Sequence, residues 1–205
     1  MSAVMSRWLP RPGQAVRLVG GQWLFGTGEA MLVAAHLGNS PWTVFAQGTA
    51  ARAGLSIGMM TNLIGAAVLL LWIPLRQRPG LGTLANVVLV GSALDVVLRW
   101  LPDVDVLPQR VALCIGGILV VALGSGVYLT TGLGPGPRDG LMTGIARTAG
   151  WPLGAARAAV EGTVLLAGWL LGGVAGIGTV LFAVFIGPCV HLAIRLISRI
   201  PDDQL

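Results

Sequence analysis

The chain is written twice. Residues 17–103 recur in register as residues 113–199, at a constant offset of 96 (113 − 17) that needs no gap. LGNSPWTVFAQGTAARAGLSIG (37–58) aligns with LGPGPRDGLMTGIARTAGWPLG (133–154), so Gly38, Pro41, Gly48, Gly54 and Gly58 meet Gly134, Pro137, Gly144, Gly150 and Gly154. Upstream, Gly20, Gly21 and Gly28 meet Gly116, Gly117 and Gly124; downstream, Gly80, Gly82, Thr83, Gly91 and Arg99 meet Gly176, Gly178, Thr179, Gly187 and Arg195. Self-similarity of this kind constrains a fold more than any local motif, because both copies must adopt one plan and pack together. In apolar chains, duplicated halves are the pattern of many transporters, whose site lies where the halves meet.

The repeated segment suits a bilayer. Hydrophobic residues make up 55% of the chain, charged residues 10%, and the mean hydropathy is +0.82, outside the usual soluble range. Apolar stretches long enough to cross a membrane run through 16–35, 56–75, 82–101, 111–131, 153–172 and 177–197. A soluble bundle would need polar faces at helical period, and these stretches carry none. The first twenty residues hold Arg7, Arg11 and Arg17 but no apolar core before a cleavage site, so the first span is expected to stay as an anchor. Cys114 and Cys189 do not match under the offset and read as small core residues; no disulfide, metal or cofactor is expected. No phosphate-binding loop, HExxH or Ser–His–Asp spacing occurs, so an enzyme is not expected.

Arginine sets the topology, because the chain has no lysine and its net charge of +5 is all arginine. Each repeat reads as a span, a Gly–Pro loop, a short helix at 41–53 or 137–149, and two more spans. If the short helices do not cross and the N-terminus is cytoplasmic, ten of the thirteen arginines lie inside: Arg7, Arg11, Arg17, Arg76, Arg78, Arg138, Arg147, Arg157, Arg195 and Arg199. The positive-inside rule asks for that asymmetry, and the same placement removes the nucleic-acid reading of the positive charge. Three spans per repeat is an odd number, so the second copy enters upside down. The expected fold is therefore an all-α membrane protein with six transmembrane helices as two inverted three-span repeats, each carrying an extra short helix. The expected divisions are a cytoplasmic tail (1–15), a first repeat (16–103), an external connector (104–110), an inverted second repeat (111–199) and a C-terminal tail (200–205). Trp42, Trp72, Trp100, Trp151 and Trp169 fall near span ends, as interfacial tryptophans do.

Two groups of residues carry candidate chemistry. The first is the loop and start of each short helix. Ser40 and Gly136 stand at the N-cap, before Pro41 and Pro137 at the first helical position, and Arg138 and Asp139 follow in the second copy. Such helix ends present free N–H groups and a positive dipole to a solute. The short helices are either re-entrant or lie flat as surface connectors. The second group is the ionisable set inside the spans: Glu29, Asp95, Glu161 and His191. At about 1.5 Å per residue, Glu29 and Asp95 lie roughly 20 Å from the cytoplasmic edge and Glu161 roughly 12 Å. Asp95 and His191 share one repeat position, each with an arginine four residues on, and Glu161 has Arg157 one turn earlier. Charges at such depth mark pathways or proton relays unless they pair to fix packing. Thr27, Asn62, Asn86, Tyr128 and Thr179 are further hydrogen-bonding groups within the spans.

The runs GLGPGPRDGLMTGIARTAGW and LLWIPLRQRPGLGTLANVVLVG, with LGNSPWTVFAQG in the first copy, resemble the YczE-like bacterial membrane proteins, related to the YitT family. The resemblance covers residues 16–198 and implies a small inner-membrane protein grouped with candidate transporters. Family members often carry an acidic residue shortly after the first-copy proline; here that place is Thr43, whereas the second copy has Asp139. The function expected is a secondary transporter or facilitator for a small organic solute, proton-coupled if active, with both termini cytoplasmic. A non-transporting scaffold and a channel-like pore are the alternatives. Membrane lipids and a small-molecule solute are the expected partners, nucleic acid is not, and a homo-oligomer is left open.

Overall fold

The computed structural model describes residues 7–199, so the outermost parts of both expected tails lie outside the described residues. Among those described the fold is helical throughout. Four helices come from each copy: α1 (Pro12–Ala35), α2 (Pro41–Ala53), α3 (Ile57–Trp72) and α4 (Leu81–Leu98), then α5 (Leu107–Leu129), α6 (Pro137–Ala149), α7 (Leu153–Leu170) and α8 (Ile177–Ile197). The two short helices occupy the expected residues. Proline at the first helical position fixes where each begins, and Gly54 (φ 66°) and Gly150 (φ 68°) end them in the left-handed conformation that glycine adopts without strain.

Three expected boundaries shift. α1 begins at Pro12, inside the expected tail, and α5 begins at Leu107, inside the expected connector. α3 stops at Trp72, two residues before Pro74, which has no N–H to carry the helix on. Four helices combine the length and apolarity to cross a membrane on their own: α4, α5, α7 and α8. A fifth span results if α2 and α3, which meet at 110°, are taken together. α1 is 24 residues long but carries Gln14, Arg17, Gln22 and Glu29, and α3 has only 16 residues. The chain is thus a helical, multi-pass membrane protein.

α1 and α5 form the centre. They cross antiparallel through the repeated glycines: a Cβ on Gly21 would sit 2.9 Å from the Gly124 carbonyl, and one on Gly28 would sit 2.7 Å from that of Gly117. The reverse contacts, Gly117 to Gly28 and Gly124 to Gly21, are 2.9 and 2.6 Å. Offset by 96, the first pair becomes the second with its partners exchanged. Small residues permit this backbone approach. The loops repeat the relation. The Gly82 N–H donates to Leu133 O at 2.9 Å and the Gly178 N–H to Leu37 O at 2.8 Å. Gly38 (φ 110°) packs on Gly176 and Thr179, and Gly134 (φ 118°) on Gly80 and Thr83. Both glycines need a backbone angle that side chains resist.

These contacts sort the helix ends into two sets. At one end lie Arg7, the start of α4, the end of α5 and the end of α8, with Leu81 N–H bonded to Arg7 O and Gly126 packed on Ala193 and Ile197. Arg147, near the end of α6, donates to Leu75 O at 2.8 Å at this same end. At the other end, Arg110 of α5 donates through Nε to Ala35 O at 2.8 Å and also to His36 O, capping α1 with a cation. The 172–176 loop and the start of α3 lie there too: Asn39 N–H bonds to Val174 O, and Asp95, near the end of α4, bonds the first turn of α3. α2 therefore starts and finishes on the side of the α1 C-terminus, and α6 on the side of the α5 C-terminus. The N-terminal turn of α2 is buried and that of α6 half-buried at Arg138 and Asp139, whereas their last turns are largely exposed.

Trp42 and Trp72 correct the interfacial reading. They are 6% and 2% exposed and pack with Val68, Leu141 and Met142, and Trp72 Nε1–H donates to Pro137 O at 2.9 Å. Trp100, Trp151 and Trp169 are exposed at helix ends, where amphipathic rings belong.

Candidate functional site

The N-termini of α2 and α6 face one another across a cavity of about 200 Å³, walled by α1, α4, α5, α7 and α8. Repeat equivalents meet here. Trp42 and Arg138 hold the same position in their copies, and the Arg138 guanidinium lies 5.3 Å from the Trp42 ring centroid, within cation–π range.

Two carboxylates lie at the helix ends, in exchanged positions. Glu29 comes from α1, is 1% exposed, and is held at the start of α2. Ser40 Oγ lies 2.9 and 2.8 Å from its two oxygens, and Thr43 Oγ1 donates to it at 2.8 Å. In the second copy the equivalent of Glu29 is Ser125 and that of Thr43 is Asp139. The acid has moved from the long helix to the short one. Tyr128 of α5 donates to Asp139 Oδ2 at 3.2 Å and its oxygen faces the Gly136 amide. Thr43 thus holds the carboxylate that Glu29 supplies. Ser40 sits at the N-cap but turns its hydroxyl to Glu29 rather than to the backbone.

Arg138 makes no hydrogen bond and no direct ion pair among the described residues, although Glu29, Asp139, Tyr128 and Glu161 lie within electrostatic reach. Trp42 adds a second spare donor: its indole N–H is buried without an acceptor. Arg157 and Glu161 of α7 pair at 2.9 Å and form one wall. Phe25, Val90, Val121, Phe182 and Ile186 supply the apolar lining, and Asn86, which donates to Gln22 Oε1 at 2.6 Å, stands at the edge.

Of the eight residues that sequence singles out, Glu29, Ser40, Gly136, Arg138, Asp139 and Glu161 line this cavity, and Asp95 and His191 do not. Asp95 holds the start of α3. Its Oδ1 accepts from Gly58 N–H at 2.8 Å, and its Oδ2 accepts from Met59 N–H at 3.1 Å and from the Ser56 hydroxyl. A carboxylate at a helix N-terminus is a structural cap, and Arg99 is not its partner. His191 is exposed on the outer face of α8. Sequence reasoning missed Trp42, whose alignment with Arg138 was the available signal. It also passed over Tyr128, whose hydroxyl is placed only by the α5–α6 turn. Among the described residues no three His, Cys, Asp or Glu side chains gather as a metal site.

Residues 14–195 match the model of a family of unknown function, DUF6198. The chain belongs to this YczE-like family. The "Uncharacterized membrane protein YczE" of Bacillus subtilis is 36% identical over 152 residues, 74% of this chain and 71% of its own length. An "Uncharacterized protein" of Haemophilus influenzae is 42% identical over 178 residues, 87% of this chain and 82% of its own length. YyaS of Bacillus subtilis is 25% identical over 176 residues, 84% of this chain and 88% of its own length. No solved structure matches the chain.

Proposed function

We propose that this protein is an inner-membrane secondary transporter or facilitator for a small organic solute. In this reading α1, α3, α4, α5, α7 and α8 cross the membrane as two inverted repeats, and α2 and α6 are re-entrant. The antiparallel α1–α5 crossing and the return of each short helix to its own side support it. So does the cavity, which lies where two half-helix N-termini converge, as in other transporters and pores.

One observation carries transport over a scaffold: the two copies of a single seam differ. Between α3 and α4, a Cβ on Gly58 would lie 2.0 Å from Gly91 O, and one on Gly91 would lie 2.1 Å from Gly58 O. Asn62 Oδ1 accepts from Gly91 N–H at 3.0 Å and Asp95 fastens the end. That seam is shut. The equivalent glycines between α7 and α8, Gly154 and Gly187, have nothing within 4 Å, and Gly187 lines the cavity. A glycine pair with nothing to pack against serves a second arrangement in which α7 and α8 close. Under inverted symmetry, exchanging the two seam states moves the opening from one membrane face to the other, which is alternating access. Glu29 and Asp139 are the groups placed to couple protons if transport is active.

The test uses Gly154→Cys with Gly187→Cys in a background lacking Cys114 and Cys189. In membranes the pair should cross-link, and cross-linking should arrest proteoliposome flux of solutes that raise the melting temperature. A folded protein that never cross-links, with both cysteines singly reactive, would refute alternating access by this seam.

A further inference from the structure

We infer that the cavity recognises a small zwitterion of amino-acid type, with its carboxylate on Arg138 and its ammonium on Asp139. The inference rests on reading this cavity as the solute site and names what would bind there.

The cavity's formal charge is the starting point. Glu29, Asp139 and Glu161 contribute −3, Arg138 and Arg157 contribute +2, and the sum is −1. A simple anion would raise that to −2 in a confined space of low dielectric, which Coulomb's law penalises. A simple cation would leave Arg138 as it is, a guanidinium with five N–H donors and no hydrogen-bonded acceptor. Only a solute carrying both signs uses both sides without changing the net charge.

The unused bonding capacity points the same way. Glu29 is engaged by Ser40 and Thr43, and Glu161 by Arg157. On the donor side, Arg138 and the indole N–H of Trp42 are spare, and Trp42 is itself 6% exposed. A buried donor left unpaired costs free energy that a ligand recovers on binding. The guanidinium fork of Arg138, stacked over the Trp42 ring, matches a carboxylate, which arginine accepts bidentately. On the acceptor side, Asp139 has one bond, from Tyr128 to Oδ2, so Oδ1 is available to an ammonium. Size sets the last limit. A cavity of about 200 Å³ is smaller than the ~300–1,000 Å³ of drug-sized pockets, and its apolar wall of Phe25, Val90, Phe182 and Ile186 suits a short hydrocarbon side chain.

The experiment titrates the full-length protein in detergent with the twenty protein amino acids. Each is paired with its N-acetyl derivative, which lacks the cation, and its decarboxylated amine, which lacks the anion. At least one amino acid should bind saturably, by calorimetry and by a rise in melting temperature, and both its analogues should bind at least ~100-fold more weakly. Arg138→Gln and Asp139→Asn should abolish that binding. Arg138→Lys keeps the charge but loses the bidentate fork, so it should weaken binding at least ~10-fold; it serves as the probe if Arg138→Gln does not fold. Equal binding of either analogue, no binding by any amino acid to the folded protein, or full affinity in Arg138→Lys would each overturn the inference. Binding without flux would refute transport but leave the site. Flux of a solute that is not zwitterionic would do the reverse.

Discussion

Asp95 fastens α3 through two backbone N–H groups and the Ser56 hydroxyl, so Asp95→Ala removes a helix cap and should lower stability by about 2 kcal/mol. Solute binding by the protein that remains folded should be unchanged, because Asp95 does not reach the cavity. Thermal melts alongside ligand titration check both halves. Glu29 should behave in the opposite way. Glu29→Gln retains an acceptor for Ser40 and Thr43, whose hydroxyls can rotate to satisfy the new amide, so the variant should fold and lose proton-coupled flux. Glu29→Ala strips two buried hydroxyls of their partner and leaves a void, and a loss of about 3–5 kcal/mol is expected. Equal melting temperatures for the Gln and Ala variants would show that the hydroxyl pairing is not what holds the carboxylate.

The short helices are held by tryptophan and glycine rather than by their own propensity. A Cβ on Gly140 would lie 1.9 Å from Trp72 Cζ2, and the Trp72 ring is fixed by its bond to Pro137 O. Gly140→Ala must therefore push α6 from α3, and about 1–3 kcal/mol of overpacking strain is expected in a denaturation series. Gly136 is a milder case. Its φ of −62° is ordinary, so no backbone strain attends substitution, and an added Cβ would meet Tyr128 Oη at 3.3 Å and Asn86 Nδ2 at 3.4 Å. Gly136→Val should fold but fill the mouth of α6 and weaken ligand binding at least tenfold. Full binding by a folded Gly136→Val would remove the α6 N-terminus from the site.

At the scale of the molecule, the two sets of helix ends make a topological prediction. Position 77 shares its end with Arg7, Arg147 and the close of α8, and positions 103 and 173 share the other. With the arginines inside, Gln77→Cys in a background lacking Cys114 and Cys189 should react with membrane-impermeant reagents only in inside-out vesicles. Asp103→Cys should react only in right-side-out cells. Labelling of both from one side would break the inverted arrangement.

The duplication, four of the six apolar spans and the Pro–Gly boundaries were legible without coordinates, because each is a local consequence of residue type: proline starts α2 and α6, glycine ends them, and a repeated segment repeats its helices. Glu29 was also legible as a costly charge in an apolar span, and Arg138 and Asp139 as the opening of a short helix after Pro137. Their company was not. Asp95 and Glu29 are both acids within apolar segments, and only the arrival of the α3 N-terminus at one and of Ser40 and Thr43 at the other separates a cap from a cavity wall. Trp42 reads as an interfacial ring until α6 brings Arg138 over it. The unequal seams show in the sequence only through their fasteners, since Gly58/Gly91 and Gly154/Gly187 are identical pairs while Asn62 and Asp95 become Ala158 and His191. Which pair packs depends on long-range helix placement, which no stretch of chain encodes by itself.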